Sequence, residues 1–237
     1  MSIFDTPFDT ASEAALVTGA GNGIGRAIAQ ALIGEGVRTM FADVNRETVT
    51  AAIKASARPE LAVPFVGDLG DAATRTALLA EAAAALGRVT HFVHSASPPR
   101  READHAFGVS SETWAQMHAV NLEAGFHLSR ELARKLIADK QPGSFLLLTS
   151  LHAGTPRNLP HYSTSKAGLS MLVKELAKTF GRFSAPNPPP KARTRPTTFI
   201  GPITCKRSAP VPGNSTSRAP TSVLPARSAA KMANPAN

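Results

Sequence analysis

A short apolar run, Ala14-Ala-Leu-Val-Thr18, passes directly into Gly19-Ala-Gly-Asn-Gly-Ile-Gly25 and then into Arg26-Ala-Ile-Ala-Gln-Ala-Leu-Ile. The first piece reads as a buried strand and the last as a helix, so the glycines must turn the chain from one to the other. Lacking a Cβ, such a turn lets the backbone approach a pyrophosphate, whose charge then meets the helix N-terminus. Gly19, Gly23 and Gly25 are spaced Gly-x-x-x-Gly-x-Gly, not the Gly-x-Gly-x-x-Gly of the commonest dinucleotide fingerprint. A glycine turn that holds no ligand is the plainer alternative for this motif alone.

Strands and helices go on alternating. Val37-Arg-Thr-Met-Phe-Ala-Asp43 reads as the second strand, 45–57 as helix, and Leu61-Ala-Val-Pro-Phe-Val-Gly67 as the third strand with Asp68-Leu69 at its exit. An alanine-rich helix over 72–86 stops at Gly87. Val89-Thr-His-Phe-Val-His-Ser-Ala96 is the fourth strand and 98–110 a polar loop. Ser111 is expected to cap a long helix with Trp114, Met117, Val120, Leu122, Phe126, Leu128 and Leu132 on its apolar stripe. The pattern predicts an α/β fold, a Rossmann-type doubly wound parallel sheet. Asp43 stands 18 residues past Gly25. A carboxylate there can accept ribose hydroxyls and repels a 2′-phosphate, and Asn22 in the turn offers that phosphate no positive charge. Capping the helix that starts near Asn45 is the structural alternative for Asp43.

Gly143-Ser-Phe-Leu-Leu-Leu-Thr-Ser150 ends a buried-strand pattern in a hydroxyl, at the carboxyl edge where open α/β sheets bind ligands. Tyr162 and Lys166 then fall one helical turn apart, on one face, with Leu169, Leu172, Val173 and Leu176 forming the helix's apolar stripe. A phenol titrates near ~10 and is a poor proton donor or acceptor at neutral pH. An ammonium held beside it favours the phenolate and suits it to general acid–base work. A packed ring beside a snorkelling lysine is the bland alternative.

Over residues 14–182 these pieces resemble the short-chain dehydrogenase/reductase family, motif by motif and in the family's order. Thr18 to Gly25 match its glycine turn, Asp43 its NAD-selecting acid, Asp68 and Leu69 its adenine contact, and Asn121 the asparagine of its long central helix. Ser150, Tyr162 and Lys166 match its catalytic serine, tyrosine and lysine. The resemblance implies an NAD(H)-dependent oxidoreductase that interconverts a small-molecule alcohol and carbonyl, preferring NAD(H) over NADP(H). It assigns the cofactor to Gly19, Asn22, Gly23, Ile24, Gly25, Asp43, Asp68, Leu69, Ser95, Ala96, Tyr162 and Lys166. Tyr162 is then the general acid/base, Ser150 bonds the substrate oxygen, Lys166 steadies the phenolate and the nicotinamide ribose, and Asn121 orders a water in the proton relay. A homodimer or homotetramer paired through helices 111–139 and 161–182 is implied as well. No metal is expected, because His94, His152 and His161 fit no trusted ligand spacing.

The chain departs from the family twice. Where the family has Asn-Asn-Ala-Gly after the fourth strand, this chain has His94-Ser95-Ala96-Ser97. A hydroxyl or imidazole can replace some amide hydrogen bonds, but Ser97 gives up a glycine's access to positive φ. The second departure begins near residue 184. Residues 1–182 hold 18 Lys and Arg against 17 Asp and Glu; residues 183–237 hold 8 and none, with 11 of the 19 prolines and only seven Leu, Ile, Val and Phe. That composition predicts a domain over 1–183 and a disordered basic, proline-rich tail over 184–237, without the family's last strands. Gly201-Pro-Ile-Thr204 matches the family's cofactor-covering turn only faintly. A change of reading frame would leave this pattern; a genuine tail is the rival. If the tail has removed essential strands, the chain is an inactive remnant that at most binds NAD weakly. The tail's two aromatics, Phe183 and Phe199, supply no stacking platform, which argues against nucleic acid as a partner. An acidic N-terminus, the absence of any long apolar window and the single Cys205 lead us to expect a cytoplasmic protein that no membrane anchors.

Overall fold

The apolar runs become parallel strands β1 (Ala14–Thr18), β2 (Arg38–Asp43), β3 (Ala62–Val66), β4 (His91–His94) and β5 (Ser144–Leu147) in a computed structural model of the chain, which describes residues 10–101, 103–183 and 198–199. Every residue of β1 is buried, which is why that run shows no polar alternation. The sheet order is β3-β2-β1-β4-β5-β6, with Thr198–Phe199 as β6. Leu16 of β1 lies opposite Met40 on one side and Phe92 on the other. The chain therefore builds outward from β1 through β3, then returns to β1's other side with β4. The carboxyl ends of β1 and β4 form the switch point where such sheets open a crevice.

Alternate strand residues feed two cores. Leu16, Met40, Phe92, Phe145 and Leu147 pack with helices α3 (Ala72–Leu86), α5 (Ala124–Ala138) and α6 (Pro160–Phe180). Val17, Phe41 and Val93 pack with α1 (Gly23–Gly34) and α2 (Arg46–Lys54). The period of two along each strand assigns neighbours to opposite faces, and both faces are covered. Each fully buried Leu or Phe contributes roughly 1.5–3 kcal/mol.

The expected long helix is divided. It runs as α4 (Ser111–His118), a π turn over Ala119–Glu123, and then α5. Its cap is Ser110 rather than Ser111, since the Ser110 hydroxyl accepts from the Thr113 N–H at 3.1 Å. Trp114 does not join the core but stacks on His118, with centroids 4.7 Å apart, and remains 40% exposed. A two-residue strand β6 (Thr198–Phe199) pairs with Ser144 and Phe145 of β5, where no strand was expected. It lies at the sheet's edge, the position a proline-rich segment can occupy without breaking a ladder on both sides. Apart from those two residues, the expectations for 184–237, including Gly201–Thr204 and the reading-frame change, lie outside the described residues. No helix among the described residues is long and apolar enough to cross a membrane.

Candidate active site

The glycine turn lies at the switch point. Gly19 and Gly23 adopt φ of +68° and +55°, a left-handed backbone that glycine takes without strain. A Cβ on Gly19 would stand 2.7 Å from the Ala96 nitrogen, so the turn after β1 rests directly on the segment leaving β4. Asn22 heads α1 in an extended conformation with no side-chain cap, and Ile24 beside it is half exposed. A turn with glycine at every second position from 19 to 25 that opens on an uncapped helix N-terminus suits the phosphates of a dinucleotide.

Asp43 is tied to that cradle. Its Oδ2 accepts from the Gly21 N–H at 3.0 Å and its Oδ1 from the Asn45 N–H at 3.2 Å. The cap of α2 is Asn45, which accepts from Thr48 N–H at 3.0 Å, so capping is not the role of Asp43. At the exit of β3, Asp68 accepts from Gly70 N–H at 2.8 Å and from Gln116 Nε2 at 2.9 Å. Leu69 is buried, and its carbonyl accepts from Arg75 at 2.7 Å.

His94 is the polar hub between these parts. The Thr18 hydroxyl donates to its Nδ1 at 2.9 Å and accepts from the Ser95 N–H at 3.2 Å. Its Nε2 faces the Val120 and Asn121 carbonyls at 3.1 and 3.2 Å. Carbonyls only accept, so Nε2 carries the proton and Nδ1 does not. The π turn supplies those carbonyls, and such turns recur at functional sites. Burial, and then the charge of Lys166, push His94 down to about 4. Ser97 has no positive φ; Lys140 and Asn158 are the described non-glycine residues that do. The access to positive φ that Ser97 gives up is therefore not needed at this position.

A stability prediction follows from His94. The unfolded imidazole gains its proton near pH ~6.5 while the folded one stays neutral down to about 4, so folding stability is lost as pH falls through that window. The loss assigned to this residue is roughly 3 kcal/mol. Urea melts between pH ~7 and ~4 should show a shallower decline for His94→Asn than for the parent, and equal slopes would refute it.

Tyr162 and Lys166 meet beneath the end of β5, both buried. Lys166 Nζ donates to the Leu148 carbonyl at 2.9 Å and lies 5.7 Å from the Tyr162 ring centre. Burial, and then Arg100, push the Lys166 ammonium down to about 8. Ser150 sits three residues beyond β5 and caps the short turn Leu151–Ala153 by accepting from His152 N–H at 3.2 Å. The His152 ring meets Tyr162 edge-on at 5.0 Å, which brings the Ser150 turn against the tyrosine. Asn121 Nδ2 donates to Ser165 Oγ at 2.9 Å, and Ser165 donates to the Tyr162 carbonyl at 2.8 Å. Asn121 Oδ1 is buried with no donor. The four residues singled out from sequence thus converge on the carboxyl side of β4 and β5.

Some participants were missed. Thr18 was read only as the start of the glycine turn and Ser165 only as a helix residue between Tyr162 and Lys166; their bonds to His94 and Asn121 emerge only in the fold. Arg100 holds its guanidinium carbon 4.4 Å from the Tyr162 ring centre. The loop's Pro-Pro-Arg-Arg run is visible in sequence, but which arginine turns inward is not.

A doubly wound sheet with a glycine turn at its switch point defines a Rossmann-type protein. The chain belongs to the short-chain dehydrogenase family, whose model matches residues 13–184. It is 34% identical over 178 residues to the probable galactose dehydrogenase GalD of Rhizobium meliloti (strain 1021), covering 73% of this chain and 68% of that one. A metagenomic short-chain oxidoreductase solved in complex with NADP is 28% identical, with a TM-score of 0.66 over 73% of this chain and 78% of that one. 4-Hydroxyisoleucine dehydrogenase complexed with NADH shares the fold at 22% identity, with a TM-score of 0.66 over 72% of this chain and 69% of that one. The chain is accordingly an oxidoreductase of a family that uses NAD(P)(H).

Proposed function

We propose that the chain interconverts an alcohol and a carbonyl with NAD(H) as the preferred cofactor. The observation that carries this is the buried Lys166 ammonium, fixed on the Leu148 carbonyl and 5.7 Å from the ring of Tyr162. A cation is costly to bury, and the fold keeps one beside its single tyrosine. In reduction, the Tyr162 hydroxyl gives its proton to the carbonyl oxygen; in oxidation, its phenolate takes the alcohol proton. Ser150 holds that oxygen by hydrogen bonding, and the Lys166 charge favours the phenolate. Asn121 orders a water that restores the proton, a role supported by its buried, donorless Oδ1. Backbone groups of Gly19, Asn22, Gly23, Ile24 and Gly25 bind the pyrophosphate, Asp43 the adenosine ribose, and Asp68 and Leu69 the adenine. Ser95, Ala96, Tyr162 and Lys166 line the nicotinamide end. When bound, the cofactor carries the hydride. The protein acts as a homodimer or homotetramer in the cytoplasm, on a small-molecule substrate.

Cofactor choice has a direct test. Asp43→Asn keeps an acceptor for the Gly21 N–H but removes the charge that repels a 2′-phosphate. Fluorescence titration should show the parent binding NADH more tightly than NADPH, and the variant narrowing that gap by roughly tenfold or more. Equal parent affinities would refute the NAD preference. A formed site also gains stability from its ligand. NAD at about 100 times its Kd should raise a cooperative melt by ~2.7 kcal/mol. A melt that NAD leaves unmoved supports the inactive-remnant reading instead.

A further inference from the structure

Arg100 stands over the face of Tyr162 from the loop between β4 and α4, and it is exposed. Arginine stacks on aromatic rings readily, and such stacking is weak at exposed sites, so the contact alone assigns nothing. Arg130 supplies a comparison. It lies over the Phe126 ring at 5.2 Å, and its Nε also meets Glu131 at 2.7 Å. Among the described residues no carboxylate does the same for Arg100. Asp104, the described acid of that loop, lies 3.7 Å from His161 and accepts the Arg101 N–H at 3.0 Å.

Positive charge gathers at this mouth. Burial and then Arg100 depress both Lys166 and His152, and Arg157 adds to the effect on His152, while no carboxylate offsets them at either group. A guanidinium presents paired N–H donors in one plane, the arrangement a carboxylate fills with two hydrogen bonds. Clustered cations beside a reacting centre attract an anion that the protein itself does not provide.

We propose that Arg100 is a specificity-determining residue that binds a carboxylate on the substrate, so that the substrate is a hydroxy or oxo carboxylate reacting beside Tyr162. The assignment rests on the oxidoreductase reading of Tyr162. The same guanidinium could instead meet a phosphate of the cofactor, and the test separates these two sources of anion.

NADH oxidation is followed with three oxo acids, pyruvate, acetoacetate and levulinate, each paired with its methyl ester. Parent, Arg100→Met and Arg100→Lys are compared, and NADH affinity is titrated in parallel. The parent should favour at least one acid over its ester by roughly a hundredfold in kcat/KM. Arg100→Met should erase that preference by slowing the acid alone, Arg100→Lys should keep part of it, and NADH affinity should stay within about twofold. Esters used as well as acids, or acid and ester slowed equally by Arg100→Met, would overturn the proposal and leave Arg100 a support for Tyr162. Loss of NADH affinity by about tenfold or more would overturn it in favour of a cofactor phosphate. If NADH binds but none of the six compounds is turned over, the failure lies with the Tyr162 role or the choice of carbonyl, and rates no longer score Arg100. Arg100 is then judged by phenylglyoxal labelling of the NADH complex, where protection by the oxo acids but not their esters supports the carboxylate site and its absence overturns it.

Discussion

Tyr162→Phe should lower turnover by roughly 10³-fold while leaving NADH affinity within about twofold of the parent. The substitution removes one oxygen and keeps the ring. The ring's neighbours are Arg100 at 4.4 Å, His152 at 5.0 Å and Lys166 at 5.7 Å, and none of these contacts depends on the hydroxyl. Lys166 keeps its bond to Leu148, so its ammonium remains in position. The change therefore isolates the proton transferred at the substrate oxygen. Steady-state rates and NADH fluorescence titration check it together. A variant retaining more than about a tenth of the parent rate would remove Tyr162 as the general acid/base. A variant that loses both rate and NADH binding would mean that the ring is structural.

The strands were legible because burial on both faces leaves continuous apolar runs, and their parallel, doubly wound arrangement was implied by strand–helix alternation. The glycine turn was legible for a related reason: positive φ at Gly19 and Gly23 and close approach at Ala96 both exclude side chains, and sequence records that exclusion directly. The π turn left no such trace. Residues 119–123 read as ordinary helix, because one extra residue per turn shifts the apolar stripe by less than its own width. The turn becomes intelligible only with His94, whose fully buried Nε2 needs an acceptor. The sequence marked His94 as a departure without revealing its partners, since Thr18 and Asn121 are distant in the chain. Arg100 was hidden for a different reason. Loop residues carry no periodicity, so direction is set by the local path of the backbone and by the ring it meets.

Lys166→Met should divide function from stability. Turnover should fall by about 10² or more, because the charge beside Tyr162 is gone. Stability at pH ~7 should nevertheless rise. The lysine is 3% exposed and its ammonium is pushed from 10.5 down to about 8, so below about pH 8 it is charged in both states and the fold carries the whole penalty of burying it. That penalty is roughly 3 kcal/mol, and the Leu148 carbonyl left without its donor offsets about 1 kcal/mol of the gain. The net expectation is a variant about 2 kcal/mol more stable than the parent. Between about 8 and 10.5 the folded parent has released a proton that its unfolded chain still holds, so the parent gains stability there and the variant's advantage disappears. Urea melts of both proteins at pH ~7 and ~10 would measure it. A variant less stable than the parent at pH ~7, with no change in the difference by pH ~10, would mean that the buried ammonium is not a strained charge. A more stable and inactive variant would mean that this fold retains an unfavourable cation for the sake of the tyrosine beside it.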